Sequence, residues 1–383
     1  MYPDLTIENC RILFPEAEIS SITVAGGKIA SIGDGAGDTE CLDAGGRVVT
    51  PGLVDVHVQG AGGADVLDAN WASLQTMSRT CARFGVTGLL ATTVFRPDGH
   101  NKHIEIASRA VGRDLGGAAI LGLHLEGPFI SPEKRGMIRQ ESICKPSKEA
   151  LDRILELSRG KLKMMTLAPE IPGNDEVIAE LTLRGILPSF GHSDASYDQT
   201  ISGFEQGISH VTHLFNAMPQ IHHRKPGPLL AILESDVTAQ LIADGVHVHP
   251  AVVRWSLALM GDDRIVPITD GMRAMGLPDG RYVYDGLEYE SSEGSARYED
   301  GTLVGTTLGM NSILERLSRF TGCRRDTAIK MASHNAAKIL GMQSTKGSIE
   351  PGKDADLVIW DRDFDVWSTI VGGKIVYSAF GSR

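Results

Sequence analysis

Apolar and polar positions change rhythm twice along the chain. Near its start, short apolar runs are broken by Gly and Asp: Asp4-Leu5-Thr6-Ile7, Ile19 to Val24, Lys28-Ile29-Ala30-Ser31-Ile32 and Arg47-Val48-Val49. The end has the same texture, in Ala355-Asp356-Leu357-Val358-Ile359-Trp360 and in Ser368 to Tyr377. Such runs predict short strands separated by turns. Neither end is long enough to enclose a core alone, and the termini of a domain commonly lie together. One small β-sandwich domain assembled from residues 1–50 and 344–383 is therefore expected.

Between them, in residues 51–343, continuous apolar runs are separated by longer segments with helical spacing, such as Glu149 to Leu157 and Glu176 to Leu183. Buried parallel strands have this pattern. The candidates are Leu53 to Val56, Thr87 to Thr92, Ile120 to Leu125, Lys163 to Leu167, Leu187 to Phe190, His210 to Leu214, Thr238 to Ile242 and Ile265 to Ile268. Eight strands alternating with helices predict an α/β fold, a (β/α)8 TIM-like barrel. A doubly wound sheet shares the alternation but wants a Gly-rich phosphate turn after its first strand, and Gly60-Ala61-Gly62-Gly63 does not supply one. Tyr282 to Leu303 reads as a small hairpin inserted after the eighth strand.

Composition narrows the partners. With 37 Lys and Arg against 48 Asp and Glu the net charge is −11, the wrong sign for a nucleic-acid binder. Hydrophobic residues at 42% and charged residues at 22% describe a globular protein. The five cysteines (Cys10, Cys41, Cys81, Cys144, Cys323) form no C-x-x-C pair and point to a reducing compartment. Met1-Tyr2-Pro3-Asp4 lacks the start of a signal peptide, and no apolar run reaches the roughly 18 residues of a membrane span. A soluble cytoplasmic protein, without membrane partners, is expected.

Barrel chemistry gathers where the strands end. Strand one ends Asp55-Val56-His57-Val58-Gln59, strand three His124-Leu125-Glu126, strand five Gly191-His192-Ser193-Asp194. Strands six, seven and eight end His213-Leu214-Phe215-Asn216, Asp244-Gly245-Val246-His247 and Thr269-Asp270. A single His after an apolar strand is ordinarily a hydrogen-bonded structural group. Several ionisable groups at one rim, however, cost several kcal/mol unless a cation compensates them. Glu126, His192 and His213 thus read as a divalent-cation site with an open position, the catalytic pattern for Zn²⁺. Asp270 could simply cap a helix, but beside a metal it can move the protons of a hydrolysis. His57 and Gln59 share a face of strand one, so both reach the mouth, His57 as candidate ligand of a second ion or as a substrate donor.

These residues carry a resemblance. Pro51-Gly52-Leu53-Val54-Asp55-Val56-His57, Leu123-His124-Leu125-Glu126-Gly127-Pro128-Phe129, Leu167-Ala168-Pro169-Glu170, Gly191-His192-Ser193, Thr212-His213-Leu214-Phe215-Asn216-Ala217-Met218-Pro219, Ile242-Ala243-Asp244-Gly245-Val246-His247 and Thr269-Asp270 occur in order across most of the chain. Together they resemble the branch of the amidohydrolase superfamily that deacetylates amino-sugar phosphates. The tail Gly347 to Leu357 supports the superfamily alone.

The resemblance implies one or two divalent ions, Zn²⁺ above all, held by Glu126, His192 and His213, with Asp270 as proton shuttle. It implies an amino-sugar phosphate, N-acetylglucosamine 6-phosphate, held by His247, by Asn216 and Ala217, and by Arg224 reaching across a homodimer. Gln59, Met137 and Met310 are counted with the substrate-binding residues. Two departures stand out. Gly136-Met137-Ile138 replaces the family's Gly-Ala-His or Gly-Ala-Gln, removing a polar side chain near the acyl group, and His57-Val58-Gln59 is intermediate between one-metal and two-metal patterns. The alternatives are a related substrate, such as N-acetylgalactosamine 6-phosphate or another N-acyl amino compound, and a catalytically silent barrel. Cyclic-amide hydrolases need a Lys at the end of strand four, where Thr166 to Glu170 has none.

Overall fold

The computed structural model describes residues 4–13, 20–33 and 40–379; Met1, Tyr2, Pro3 and Ile19, which were included in the terminal readings, lie outside the described residues. The two chain ends do share a sheet. Leu5–Ile12, Ser20–Ala25, Lys28–Ile32, Cys41–Asp43 and Val48–Pro51 come from the start, and Leu357–Trp360, Val366–Val371 and Lys374–Ser378 from the end. Val48–Pro51 is the stitch, parallel to Leu5–Ile12 on one side and antiparallel to Leu357–Trp360 on the other. Leu5–Ile12 itself changes partners at a bulge between Ile7 and Cys10, pairing first with Ser20–Ala25 and Cys41–Asp43 and then with Val48–Pro51. The sheet thereby folds over an apolar core to which Ile7, Ile22 and Val24 contribute from one part and Val49, Leu357 and Ile370 from the other.

The centre forms a parallel barrel. Among the described residues its eight strands pair in chain order: Leu53–Val58, Val86–Thr93, Ala119–Glu126, Leu162–Leu167, Leu187–Phe190, His210–Val211, Thr238–Leu241 and Ile265–Pro267. Helices pack outside by the expected spacing; Trp71–Arg83, for example, buries Leu74, Met77, Ser78, Cys81 and Ala82, one face at i, i+3, i+4, i+7 and i+8. Val54, Val56, Leu90, Met164 and Val266 from the strands and Ile268 just beyond the last one form an apolar cluster. Closure between the last strand and the first is a short bridge of Val58 to Gly271, with Asp270 N–H donating to the His57 carbonyl at 3.0 Å.

Two sequence readings need correction. The sixth strand stops at Val211 instead of running to Leu214, because His213 has φ of 28°, which no strand residue adopts. The stretch read as a hairpin is a four-stranded antiparallel sheet, Gly280–Tyr284, Leu287–Ser292, Ser295–Arg297 and Leu303–Thr306. Its third and fourth strands are too short to show alternation, and their order comes from pairing with each other and from a bridge of Thr306 to Gly271 at the barrel seam. Among the described residues no helix is long and apolar enough to cross a membrane.

Candidate active site

The strand ends converge as barrel geometry requires. Glu126 Oε1 lies 2.9 Å from His192 Nε2 and 2.9 Å from His213 Nε2, and the two imidazole nitrogens are 3.1 Å apart. All three residues are buried. The tautomer of His192 is settled by its other nitrogen: Nδ1 donates to the Lys134 carbonyl at 2.8 Å, so in the neutral ring Nε2 carries only a lone pair. A lone pair facing a carboxylate oxygen and a second imidazole nitrogen is unfavourable without a proton or a cation between them. Donors about 2.0–2.1 Å from a tetrahedral Zn²⁺ would be about 3.3 Å apart, close to the spacings here. One carboxylate and two imidazoles therefore fit a divalent cation with at least one open position.

His57 and Asp270 complete the cluster from the barrel seam. His57 Nδ1 donates to Gln240 Oε1 at 3.0 Å, and its Nε2 faces Asp270 Oδ1 at 3.3 Å and Glu126 Oε1 at 3.7 Å. Burial disfavours the imidazolium, but the Asp270 and Glu126 carboxylates outweigh it and raise the His57 pKa to about 9. Glu126 shows the reciprocal effect. Burial works against its charge, yet His57 and His192 hold its carboxyl well below the usual range. Gln59 Nε2 donates to Glu126 Oε2 at 3.2 Å. His57 Nε2, Gln59 Oε1, His213 Nδ1 and Asp270 Oδ1 are buried without a hydrogen bond from any described residue. Such orphaned polar atoms on residues that line or border one cavity mark a place built for a ligand.

Backbone strain gathers there too. His192 (φ 48°), His213 (28°), Ala217 (53°) and Asp270 (49°) all adopt the left-handed region, which non-Gly residues hold only where the surroundings impose it. Gly136 also has a positive φ, 53°, and a Cβ there would be in ordinary contact with the His192 imidazole at 3.4 Å.

A cavity of about 250 Å³ opens over the cluster. Glu126, His192, His213, Asp270, Gln59, Asn216 and His247 line it with polar side chains, and Met137, Ala217, Leu303 and Val304 with apolar ones. His247 is oriented from behind: Nδ1 donates to Asp244 Oδ2 at 2.6 Å, leaving Nε2 for a ligand. Burial raises the Asp244 pKa, but this bond and the His247 charge bring it below the ordinary carboxylate value.

Not every residue singled out in the sequence meets this cavity. Met310 does not: it starts the helix Met310–Thr321, is 0% exposed and packs in the core between strands and helices, so its place among the substrate-binding residues is withdrawn. Arg224 lies exposed on the loop before the helix Gly227–Glu234 and does not line the cavity of its own chain. His124 is a buried interior group, bonded to Thr166 Oγ1 at 2.8 Å and to the Val56 carbonyl at 3.2 Å, which is the ordinary role of a lone His. Conversely, Thr302, Leu303 and Val304 line the cavity without having been singled out. The available signal was the position of their segment, inserted after the eighth strand and the Asp270 that follows it.

Comparison with known proteins agrees with this geometry. The model of the amidohydrolase family matches residues 48–376. Over 335 residues the chain is 38% identical to an N-acetylglucosamine-6-phosphate deacetylase of Bacillus subtilis, covering 86% of this chain and 85% of that one. It is 35% identical over 332 residues to an N-acetylgalactosamine-6-phosphate deacetylase of Escherichia coli O157:H7, covering 86% and 88%. The crystal structure of N-acetylglucosamine-6-phosphate deacetylase from Pasteurella multocida superimposes with a TM-score of 0.90 at 30% identity, over 97% of this chain and 99% of that one.

Proposed function

The chain belongs to the amidohydrolase family, in the branch of the N-acetylglucosamine-6-phosphate deacetylases, and we propose that it hydrolyses N-acetylglucosamine 6-phosphate to glucosamine 6-phosphate and acetate. The observation that carries this reading is the meeting of Glu126, His192, His213 and Asp270 with His247 around one cavity. The catalytic barrel is taken as residues 51–343, and residues 1–50 and 344–383 as the β domain. A cytoplasmic setting suits the phosphorylated sugar.

Glu126, His192 and His213 hold the divalent cation, assigned as Zn²⁺ from one carboxylate and two imidazole donors. When bound, the cation supplies Lewis acidity, which lowers the pKa of water toward 7 and polarises the amide carbonyl. Asp270 accepts the proton of the attacking water and returns it to the amine nitrogen as the C–N bond breaks, so its carboxylate is restored in each turnover. Gln59, bonded to Glu126, keeps that carboxylate oriented. His247 binds the phosphate through Nε2, with Asn216 and Ala217 along the sugar. Arg224 supplies its guanidinium fork to the phosphate of the neighbouring subunit in a homodimer, which explains its absence from the cavity of its own chain.

The test is acetate release from N-acetylglucosamine 6-phosphate beside the unphosphorylated sugar. The expected kcat/KM for the phosphorylated sugar is higher by at least about 100-fold, since charge-assisted hydrogen bonds contribute about 1.5–3 kcal/mol each. His247→Ala should remove about 30-fold of that preference and leave the unphosphorylated sugar unaffected. Equal turnover of both sugars by the parent protein would overturn phosphate recognition.

The apolar lining residues give the acyl preference its own test, with N-acetyl expected as the preferred group. Met137 is unbranched and adaptable, and with Leu303 and Val304 it offers an alkyl group a surface but no hydrogen bond. Met137→Ala should raise the ratio of N-propionyl to N-acetyl turnover by about tenfold, the order expected when room opens for one or two methylenes. An unchanged ratio would remove Met137 from the acyl-binding surface. Including the galactosamine epimer in the same assay tests the activity named for the E. coli relative.

A further inference from the structure

Asp270 sits where the barrel closes through a short backbone bridge, its own N–H donating to the His57 carbonyl at 3.0 Å and those of Gln59 and Gly60 to the Gly271 carbonyl at 2.9 Å, and side chains brace that bridge. Regular pairing of the eighth strand ends at Pro267, three residues before it. Asp55, fully buried on the first strand, accepts a hydrogen bond from Thr269 Oγ1 at 2.5 Å. Its other oxygen faces the backbone N–H groups of His57 at 3.3 Å and Thr269 at 3.4 Å. From the opposite side, Thr306 on the last strand of the inserted sheet donates Oγ1 to the Thr269 carbonyl at 2.8 Å and its N–H to the Asp270 carbonyl at 2.9 Å. The neighbouring Gly305 permits that approach, because a Cβ there would lie 2.5 Å from the Asp270 carbonyl oxygen.

These bonds hold the backbone on both sides of Asp270, and none of them touches its carboxylate. That division matters because φ of 49° is a sparsely populated conformation, which Asp adopts more readily than most residues but still holds at a cost that its neighbours must offset. A return to an ordinary φ would swing the side chain away from His57 Nε2 and from Glu126.

We propose that Asp55, Thr269 and Thr306 are positioning residues that lock Asp270 in its left-handed conformation and so keep its carboxylate aimed at the reacting atoms. The inference rests on the reading of Asp270 as the proton carrier. Its energetic content is orientation: a displacement of about 1 Å at a catalytic group costs about 100-fold in rate. Thr269 therefore acts through Asp270, and its hydroxyl, not its bulk, carries the effect.

The experiment uses the metal-loaded enzyme in the acetate-release assay. Thr269→Val keeps the shape and loses the hydroxyl; it should lower kcat by about 100-fold with KM within about twofold and metal content unchanged. Thr269→Ser, which restores the hydroxyl, should return kcat to within about threefold of the parent. Thr306→Val should repeat the Thr269→Val pattern, and it decides the matter should Thr269→Val fail to fold. Asp270→Asn in the same assay keeps the two claims apart. If Asp270→Asn is inactive but Thr269→Val and Thr306→Val turn over at the parent rate, the positioning role is wrong and the proton-carrier reading stands. If metal, KM and kcat are lost together and Ser gives no rescue, the bonds are merely structural and the proposal fails. Full activity in Asp270→Asn overturns the proton-carrier reading and the positioning role with it.

Discussion

Asp270→Asn is expected to fold and bind metal like the parent and to lower kcat by about 1,000-fold, the middle of the range for one acid–base group. The amide is isosteric with the carboxylate, and Asn tolerates the left-handed φ of 49° at this position at least as well as Asp does. Fold and cavity shape are thus preserved. What is lost is the capacity to take a proton from water and release it to nitrogen, since a carboxamide does neither. Asp270 Oδ1 makes no hydrogen bond with a described residue and lines the cavity, with His57 Nε2 the ionisable neighbour at 3.3 Å. The measurement is kcat and KM with Tm as control. A variant that retains more than a tenth of the parent rate removes Asp270 from the proton path.

Loss of the cation should have the larger effect. Glu126→Ala removes the oxygen shared by His192 Nε2 and His213 Nε2, and it should reduce bound metal to below about 0.1 per chain and activity below detection, because the Lewis acid and its water are lost together. Chelation of the parent should act likewise and be reversed by Zn²⁺. It should also lower Tm by roughly 5 °C, since an ion present at about 1,000 times its dissociation constant stabilises the fold by about 4 kcal/mol. Metal analysis of the reconstituted enzyme counts the ions. One per chain would leave His57 beside Asp270 as a substrate donor, whereas two would assign His57 to a second ion. Full activity in chelated protein shown to be metal-free would remove the cation from the reaction.

The apolar wall of Met137, Leu303 and Val304 shows how far the sequence could be read. Met137-Ile138 was visible as a departure from a polar motif, but Leu303 and Val304 stood in a segment whose local pattern said only strand and turn. Their place beside Met137 follows from pairing of Leu303–Thr306 with Ser295–Arg297 and from the Thr306 bridge at the seam. Met310 errs in the other direction. It follows the same loop, yet the first turn of Met310–Thr321 is turned inward and packs it in the core.

Legible in the sequence were the alternation of strands and helices, the strands at both ends and the candidate set Glu126, His192, His213 and Asp270. Each follows from a local rule: periodicities of 2 and 3.6 show which face is buried, and a parallel barrel brings every strand's carboxyl end to the same rim. The tertiary structure alone decided which polar residues at that rim share a cavity, which tautomer His192 adopts and what holds Asp270 in a strained backbone. Asp55 and Thr269 are 214 positions apart, Lys134 and His192 58. Partners so distant along the chain leave no local pattern, because their contact exists only once the barrel has closed and water has been excluded from the polar atoms between them.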